Sequence, residues 1–406
     1  MKRLLVSALV IGAASSAFAA GFYVLPGEGE FPTYSISYTV AATPDGKAYV
    51  SGQAHDGSVY RSAYWTYSNG SVSSPTFLPA NEGGTISTNS FALDVFPDGS
   101  LVVAGRHGAA GTGGAATWTN KPGAVGQDAN GWRTHFLNNE IGNTGTHIAM
   151  PNTMRVASDG VSYYAFGKSS NSQVVGTWLV NTTTGESTWD AFGGMSGSSS
   201  VNSITPTGIA VGTTRNAANV VNGYVHTSSG TTLLPVPAGG DGRTEAYDIA
   251  GNGNVIVGAA MYGGILYQSY WYKSGDSWVA EWLEDVPGAT STCAALAVNE
   301  DGTLAGGYGY INGVYHAWIW DLTELNQYGQ PVGMPLGDYL AGYGISGLPE
   351  GLTIANRITS IKTVNGVTYI TGYGNGGNVG FLAVVPEPAT AIFVLLGGLA
   401  LVRRRR

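Results

Sequence analysis

Between residues 35 and 385 the chain repeats one hydrophobic phrase: a short apolar run, a turn with glycine, a second apolar run ending in glycine, a loop, and an aromatic run. The turn reads Asp45-Gly46, Asp98-Gly99, Asp159-Gly160 and Asp301-Gly302. Asn252-Gly253 and Asn365-Gly366 hold the same place, and residues 205–208 are a looser version. Such dipeptides supply the positive φ that tight hairpins need. The glycine closing the second run recurs at Gly52, Gly105, Gly167, Gly212, Gly258, Gly306 and Gly372. After each, by 9 to 13 residues, comes Trp65, Trp118, Trp178, Tyr224, Trp271, Trp318 or Phe381. Successive glycines lie 45 to 66 residues apart, room for four short strands and their loops.

The pattern predicts an all-β, seven-bladed β-propeller over residues 21–385; a β-sandwich or an irregular β-solenoid is the alternative. Fourth strands are expected at 76–79, 133–137, 231–235, 280–283 and 334–340. The seventh repeat lacks one, and residues 22–26 (FYVLP) resemble the fourth-strand phrases TFLP and TLLP. The N-terminal segment is therefore expected to complete the last blade, removing an exposed sheet edge. One large aromatic at the same place in every repeat reads as packing between blades rather than as a set of sugar platforms, since each ring buries roughly 150–250 Å².

In a propeller the loops that follow the recurring glycines share one face. They hold His55, Arg106, His107, Lys168, Arg215, Tyr308, Tyr310 and Tyr373, together with Asp56, Tyr262 and Asn375. Basic and aromatic side chains at equivalent loop positions suit an anionic or neutral polysaccharide, through charge-assisted hydrogen bonds and stacking. The acidic turns lie on the opposite face.

Composition narrows the classes. Only 11% of residues are charged, while 62 are glycine, 23 tyrosine and 10 tryptophan, a balance that favours turns and strands over helix. Cys293 is the single cysteine, so no intramolecular disulfide can form. Without Lys2, Arg3 and Arg403 to Arg406 the 18 basic residues become 12 against 26 acidic ones, and the formal charge moves from −8 to −14. An acidic body of this kind does not bind nucleic acid.

Both ends carry targeting patterns. Lys2 and Arg3 precede an apolar stretch from residue 4 to 14 and a small-x-small site at Ala17 and Ala19, which reads as a signal peptide over 1–20. At the other end Val385, Pro386, Glu387 and Pro388 precede an uncharged segment, 389–402, and then Arg403, Arg404, Arg405 and Arg406. As a helix that segment spans about 21 Å, short of the roughly 30 Å hydrocarbon core, but the arginines can snorkel to headgroups on the cytoplasmic side. VPEPAT, AIFVLLGGLALV and RRRR in that order resemble the PEP-CTERM sorting signal of Gram-negative bacteria. The resemblance covers residues 386–406 and implies a C-terminal hydrophobic helix in the inner membrane. It also implies cleavage by an exosortase-type processing enzyme and an envelope or extracellular destination. Residues 246–258 (AYDIAGNGNVIVG) and 295–307 (ALAVNEDGTLAGG) also resemble the HAF-type repeat of extracellular bacterial proteins, which carries no assigned chemistry.

No catalytic constellation stands out. There is no H-E-x-x-H, C-x-x-C, G-x-S-x-G, phosphate-binding loop or D-x-D-x-D-G calcium loop, and the six histidines lack metal-ligand spacing, so neither metal nor cofactor is expected. Glu245, Asp248, Glu281, Glu284 and Asp285 cluster in sequence and keep a paired-carboxylate glycan hydrolase or lyase open. The expectation is a non-enzymatic envelope or matrix protein that binds or scaffolds extracellular polysaccharide. An uncut, inner-membrane-anchored interaction module is a third reading.

Overall fold

The computed structural model describes residues 20–27, 35–55, 60–79, 89–107, 114–137, 154–168, 175–193, 195 and 199–386. Ala17, Ala19, Glu387, Pro388, the apolar segment 389–402 and the four terminal arginines lie outside these residues. Among the described residues no helix is long and apolar enough to cross a membrane.

Seven separate antiparallel sheets account for the repeats. Six follow chain order from the innermost strand outward, and the seventh takes its outer strand from the N-terminus. Each first hairpin turns on a glycine at positive φ, from 88° at Gly46 to 69° at Gly160. Turn acids cap these hairpins: Asp159 Oδ1 accepts the amides of Val161 and Ser162 at 2.9 and 2.8 Å.

The recurring glycine has a steric cause. In the inner strand of blade 1 a bulge lies between Ser37 and Thr39, and Ser37 pairs with Gly52. A Cβ on Gly52 would sit 1.9 Å from the Ile36 carbonyl oxygen, and the same 1.9 Å clash recurs at Gly212, Gly258 and Gly372. The bulge twists the inner strand and presses its carbonyl onto the neighbouring Cα, which only glycine admits. In blade 6 the residue so placed is Gly307, against Ala294, one position after the expected Gly306. Gly52→Ala is expected to lower stability by about 3 kcal/mol through this overpacking. Gly337→Ala, where nothing lies within 4 Å of the added carbon, should be near neutral. Urea midpoints of the two variants check the difference.

The repeated aromatics are all buried, as expected of packing residues, but they fall into two columns. Trp65, Trp118, Trp178 and Trp271 pair two residues before the glycine of the second strand, whereas Tyr224 and Phe381 pair with the glycine itself. Blade 6 fills both, with Trp318 opposite Gly307 and Trp320 in the tryptophan column. Three tryptophans of the column, Trp65, Trp271 and Trp320, stitch blades together: Trp271 Nε1 donates to the Pro235 carbonyl at 2.7 Å, just past the preceding blade's outer strand.

The N-terminal strand Gly21–Val24 pairs with the third strand of blade 7, Val379–Pro386, as FYVLP suggested. Trp65 Nε1 donates to Pro26 at 2.8 Å, the same stitch that Trp271 makes to Pro235. Val385 and Pro386, read from sequence as the start of the sorting motif, are the last residues of this strand. Pro386 pairs with Val367, directly after the Asn365-Gly366 turn. Gly21 and Pro386 therefore both lie toward the face of the tight turns.

The strand expected at 334–340 is corrected. Pro331–Pro335 forms the outer strand of blade 6 and Leu336–Ala341 a short helix. Leu336 and Leu340, four residues apart, face the same way onto the blade 7 core around Ile358 and Phe381. Pro335 lacks the amide that would extend the ladder.

A charged network crosses the axis of the ring. Arg155, on the inner strand of blade 3, donates to Glu300 Oε1 at 2.7 Å, and Lys362 of blade 7 reaches the same oxygen at 2.6 Å. Glu300 follows the inner strand of blade 6, opposite blade 3. The two cations hold its carboxyl at about 2 against the pull of burial. Asp94 and Asp248 accept the Val156 and Val298 amides at 2.8 and 2.9 Å, tying blade 2 to blade 3 and blade 5 to blade 6.

Candidate functional site

Second strands all run toward one face, and their exit ends carry the residues singled out from sequence. His55 closes Ala48–His55, Arg106 and His107 close Leu101–His107, Lys168 closes Ser162–Lys168, and Arg215 closes Ala210–Arg215. Tyr308 and Tyr310 lie in Leu304–Ile311 and Tyr373 in Val367–Gly374. The ring distributes them over six of the seven blades. Arg215 is exposed and donates to the Asn219 carbonyl of its own hairpin at 2.9 Å. Among the described side chains, the three tyrosines and Asn375 gather around a common feature.

That feature is a cleft of about 670 Å³ at blades 6 and 7, lined by Tyr315, Thr353, Asn356, Arg357, Tyr373 and Asn375 among others. At its wall the Arg357 guanidinium lies 4.4 Å from the Tyr308 ring centroid and 4.2 Å from that of Tyr315. Tyr315 packs edge-on to Tyr308 at 5.0 Å and against Tyr310 at 4.8 Å. Each cation–π contact contributes roughly 0.5–2 kcal/mol and fixes the plane of the guanidinium.

Arg357 reaches this position through local backbone geometry. The inner strand of blade 7, Ala355–Val364, carries two bulges, at Ala355/Arg357 and at Ile358/Ser360, where the inner strands of blades 1, 2, 4, 5 and 6 show one each. The added bulge re-aims the side chains at the strand's entry. Asn356 is the extra residue. It is buried, donates to the Tyr315 carbonyl at 2.8 Å and accepts the Gly376 amide at 2.9 Å, so it pins the blade 6 wall to the blade 7 loop. Asn375, in the left-handed region at φ 51°, accepts the Thr353 amide at 2.8 Å and donates to Gly351 at 2.7 Å.

The electrostatics leave the arginine charge uncompensated. Among the described residues no carboxylate lies within ion-pairing distance of Arg357. Glu245, whose charge acts on Tyr308, is already engaged by Arg243 and by the Tyr247 hydroxyl. Burial pushes the Tyr308 phenol up, and it pushes Tyr38, which interacts with Tyr373, up to about 12. These phenols stay neutral at ordinary pH, and the cleft offers one fixed cation framed by aromatic faces and amides.

Sequence reasoning found Tyr308, Tyr310, Tyr373 and Asn375 but missed Arg357, Tyr315 and Asn356. The signal was an arginine at the strand entry, where the corresponding residues of other blades are Ile36, Ser200, Glu245 and Ala294, but its meaning depends on the double bulge.

Three of the five clustered carboxylates are each engaged in separate contacts. Asp248 is buried and accepts from Ser203, Ile249 and Val298. Glu284 holds Asn326 and the Gly333 amide of blade 6, and Glu245 holds Arg243 and Tyr247. Glu281 and Asp285 are exposed. Among the described residues no group of His, Cys, Asp and Glu could hold a metal ion.

No family model matches the chain, and no curated protein matches it. Solved structures do. Hydrazine synthase of Kuenenia stuttgartiensis aligns with a TM-score of 0.50 at 13% identity, over 89% of this chain and 97% of that one. The β-propeller domain of the Trilobed protease from Pyrococcus furiosus aligns with a TM-score of 0.48 at 9% identity, over 86% and 93%. TolB from Acinetobacter baumannii aligns with a TM-score of 0.36 at 12% identity, over 84% and 80%. At these identities the likeness is one of fold alone.

Proposed function

We propose that this protein is an exported envelope or matrix propeller that binds acidic polysaccharide in the cleft at blades 6 and 7. The observation that carries the reading is Arg357, packed against two tyrosine rings and, among the described residues, without an acidic partner, at the wall of an open cleft. A guanidinium so fixed matches the two oxygens of a uronate carboxylate, and the tyrosine faces suit the C–H surface of a sugar ring. The order of the chain supports an outward-facing site. The cleft opens at the exit of Val367–Gly374, while Pro386 lies beside Val367 at its entry, roughly 20 Å away at 3.4 Å per residue. A precursor held in the inner membrane by residues 389–402 turns its tight-turn face to the bilayer and its cleft away from it. Cutting by an exosortase-type enzyme then releases a strongly acidic body among extracellular polysaccharide.

Titration with hexagalacturonate tests the reading. Arg357→Ala is expected to weaken binding by about tenfold or more, and Arg357→Lys to recover only part of it, because a point charge replaces a planar fork. Equal affinity in all three proteins would discard the cleft as the site.

A further inference from the structure

A second site lies in blade 5, on the same face. The hairpin between Val255–Tyr262 and Ile265–Ser274 turns on Gly263 and Gly264, both at positive φ. It carries Tyr262, which is 56% exposed. The connection from blade 4 locks this hairpin. The Asp241 amide donates to the Met261 carbonyl at 2.8 Å, and the Gly264 amide donates to Asp241 Oδ2 at 2.9 Å. The Tyr262 ring meets Tyr267 and Trp282 edge-to-face, with centroids 6.4 and 6.3 Å apart. Trp282 spends its only donor on the Ala238 carbonyl at 2.9 Å, so what it presents is ring surface. These three rings line a pocket of about 240 Å³, with Asp285 and Gln330 as its polar members.

The chemistry differs from that of the cleft. Among the described residues no cation lines this pocket, and its one charge is a carboxylate, which repels anionic sugars. Aromatic rings on a hairpin fixed by hydrogen bonds lose little freedom when covered, so the area they offer is available for binding. The volume falls below the ~300–1,000 Å³ of drug-sized sites and suits one ring. A carboxylate and an amide are the groups that hydrogen-bond vicinal hydroxyls. We infer that this pocket holds one neutral hexopyranose residue of a glycan. The sugar stacks on Tyr262 and Trp282, and its hydroxyls bond to Asp285 and Gln330. The inference goes beyond the acidic-polysaccharide reading and stands or falls separately from it, because it uses different residues and the opposite charge preference.

Calorimetric titration of the mature protein with cellohexaose, mannohexaose and chitohexaose, beside hexagalacturonate, tests it. At least one neutral probe is expected to bind. Tyr262→Ala should weaken that binding tenfold or more, while Tyr262→Phe, which keeps the ring, should stay within threefold. Because Tyr262 is exposed, unchanged circular-dichroism melts are expected for both variants and separate lost binding from lost folding. Arg357→Ala should keep the neutral probe and lose the acidic one, and failure of that acidic arm alone leaves the pocket untouched. The inference is overturned if no neutral probe binds, if Tyr262→Ala binds like the wild type, if the Phe variant loses as much as the Ala variant, or if Tyr262→Ala weakens only hexagalacturonate.

Discussion

Glu300→Gln should destabilise the propeller by roughly 3–5 kcal/mol, although it changes one atom of a side chain remote from both candidate sites. Glu300 Oε1 receives both Arg155 at 2.7 Å and Lys362 at 2.6 Å, and the two cations are 10% and 14% exposed. Removing the anion leaves two largely desolvated positive charges facing each other across the axis. Gly251 shows how closely the site is fitted, since a Cβ there would stand 1.8 Å from Glu300 Oε2. The same pair predicts a pH signature. The folded Glu300 carboxyl sits at about 2 against an ordinary 4.5. Its contribution, about 3 kcal/mol, is fully present above pH 4.5 and is lost as pH falls through about 2. Asp248 has the opposite sign: burial raises its carboxyl, so its ionisation costs stability as pH rises through the carboxylate range. The comparison that isolates Glu300 is therefore the difference between wild type and variant. Urea denaturation between pH 7 and pH 2 should show that difference shrinking toward acid. A constant difference would mean that the loss comes from packing, not charge.

Deleting residues 20–26 from the mature protein is the second large effect, expected to exceed about 5 kcal/mol. Leu25 is fully buried, and Phe22 packs edge-on against Phe381 at 5.3 Å. Truncating one buried leucine costs about 2–5 kcal/mol by itself. The deletion also removes the partner of Trp65 Nε1 at Pro26 and that of Ser35 Oγ at the Leu25 carbonyl. It leaves Val379–Pro386 as an open edge, a template for pairing with other chains. Size-exclusion chromatography should show oligomers or aggregates, and a synthetic peptide of residues 20–26 added in trans should partly restore the monomer. A monomeric deletion variant with unchanged melting would show that the ring closes without this strand.

The accuracy of the sequence reading varied with how local the cause was. Asp-Gly and Asn-Gly turns were legible because the φ they need is set by the dipeptide itself. The resemblance of FYVLP to TLLP was legible because Pro26 and Pro235 receive the same tryptophan stitch, so the same residues serve the same contact. In blade 6 the sequence points to Gly306 where the structure uses Gly307, because two adjacent glycines compete for one role; Trp318 is the buried aromatic expected there. The 1.9 Å approach at Gly307 decides it. The helix at Leu336–Ala341 was missed because an i,i+4 leucine pair within the seven residues 334–340 looks like a strand until Pro335 is seen to end the ladder.

Sequence alone determined the number of blades, the hairpins and the closing strand, since each follows from a repeat period or a dihedral preference carried by adjacent residues. Only the tertiary structure decided what meets across the ring. Arg155 and Glu300 are 145 positions apart, and nothing in their spacing pairs them until seven blades close around one axis. Arg357 likewise came to the wall of the cleft through a second bulge in one strand and two tyrosines from the neighbouring blade. Chain periodicity fixes each sheet, but ring closure sets which side chains of different sheets share a site.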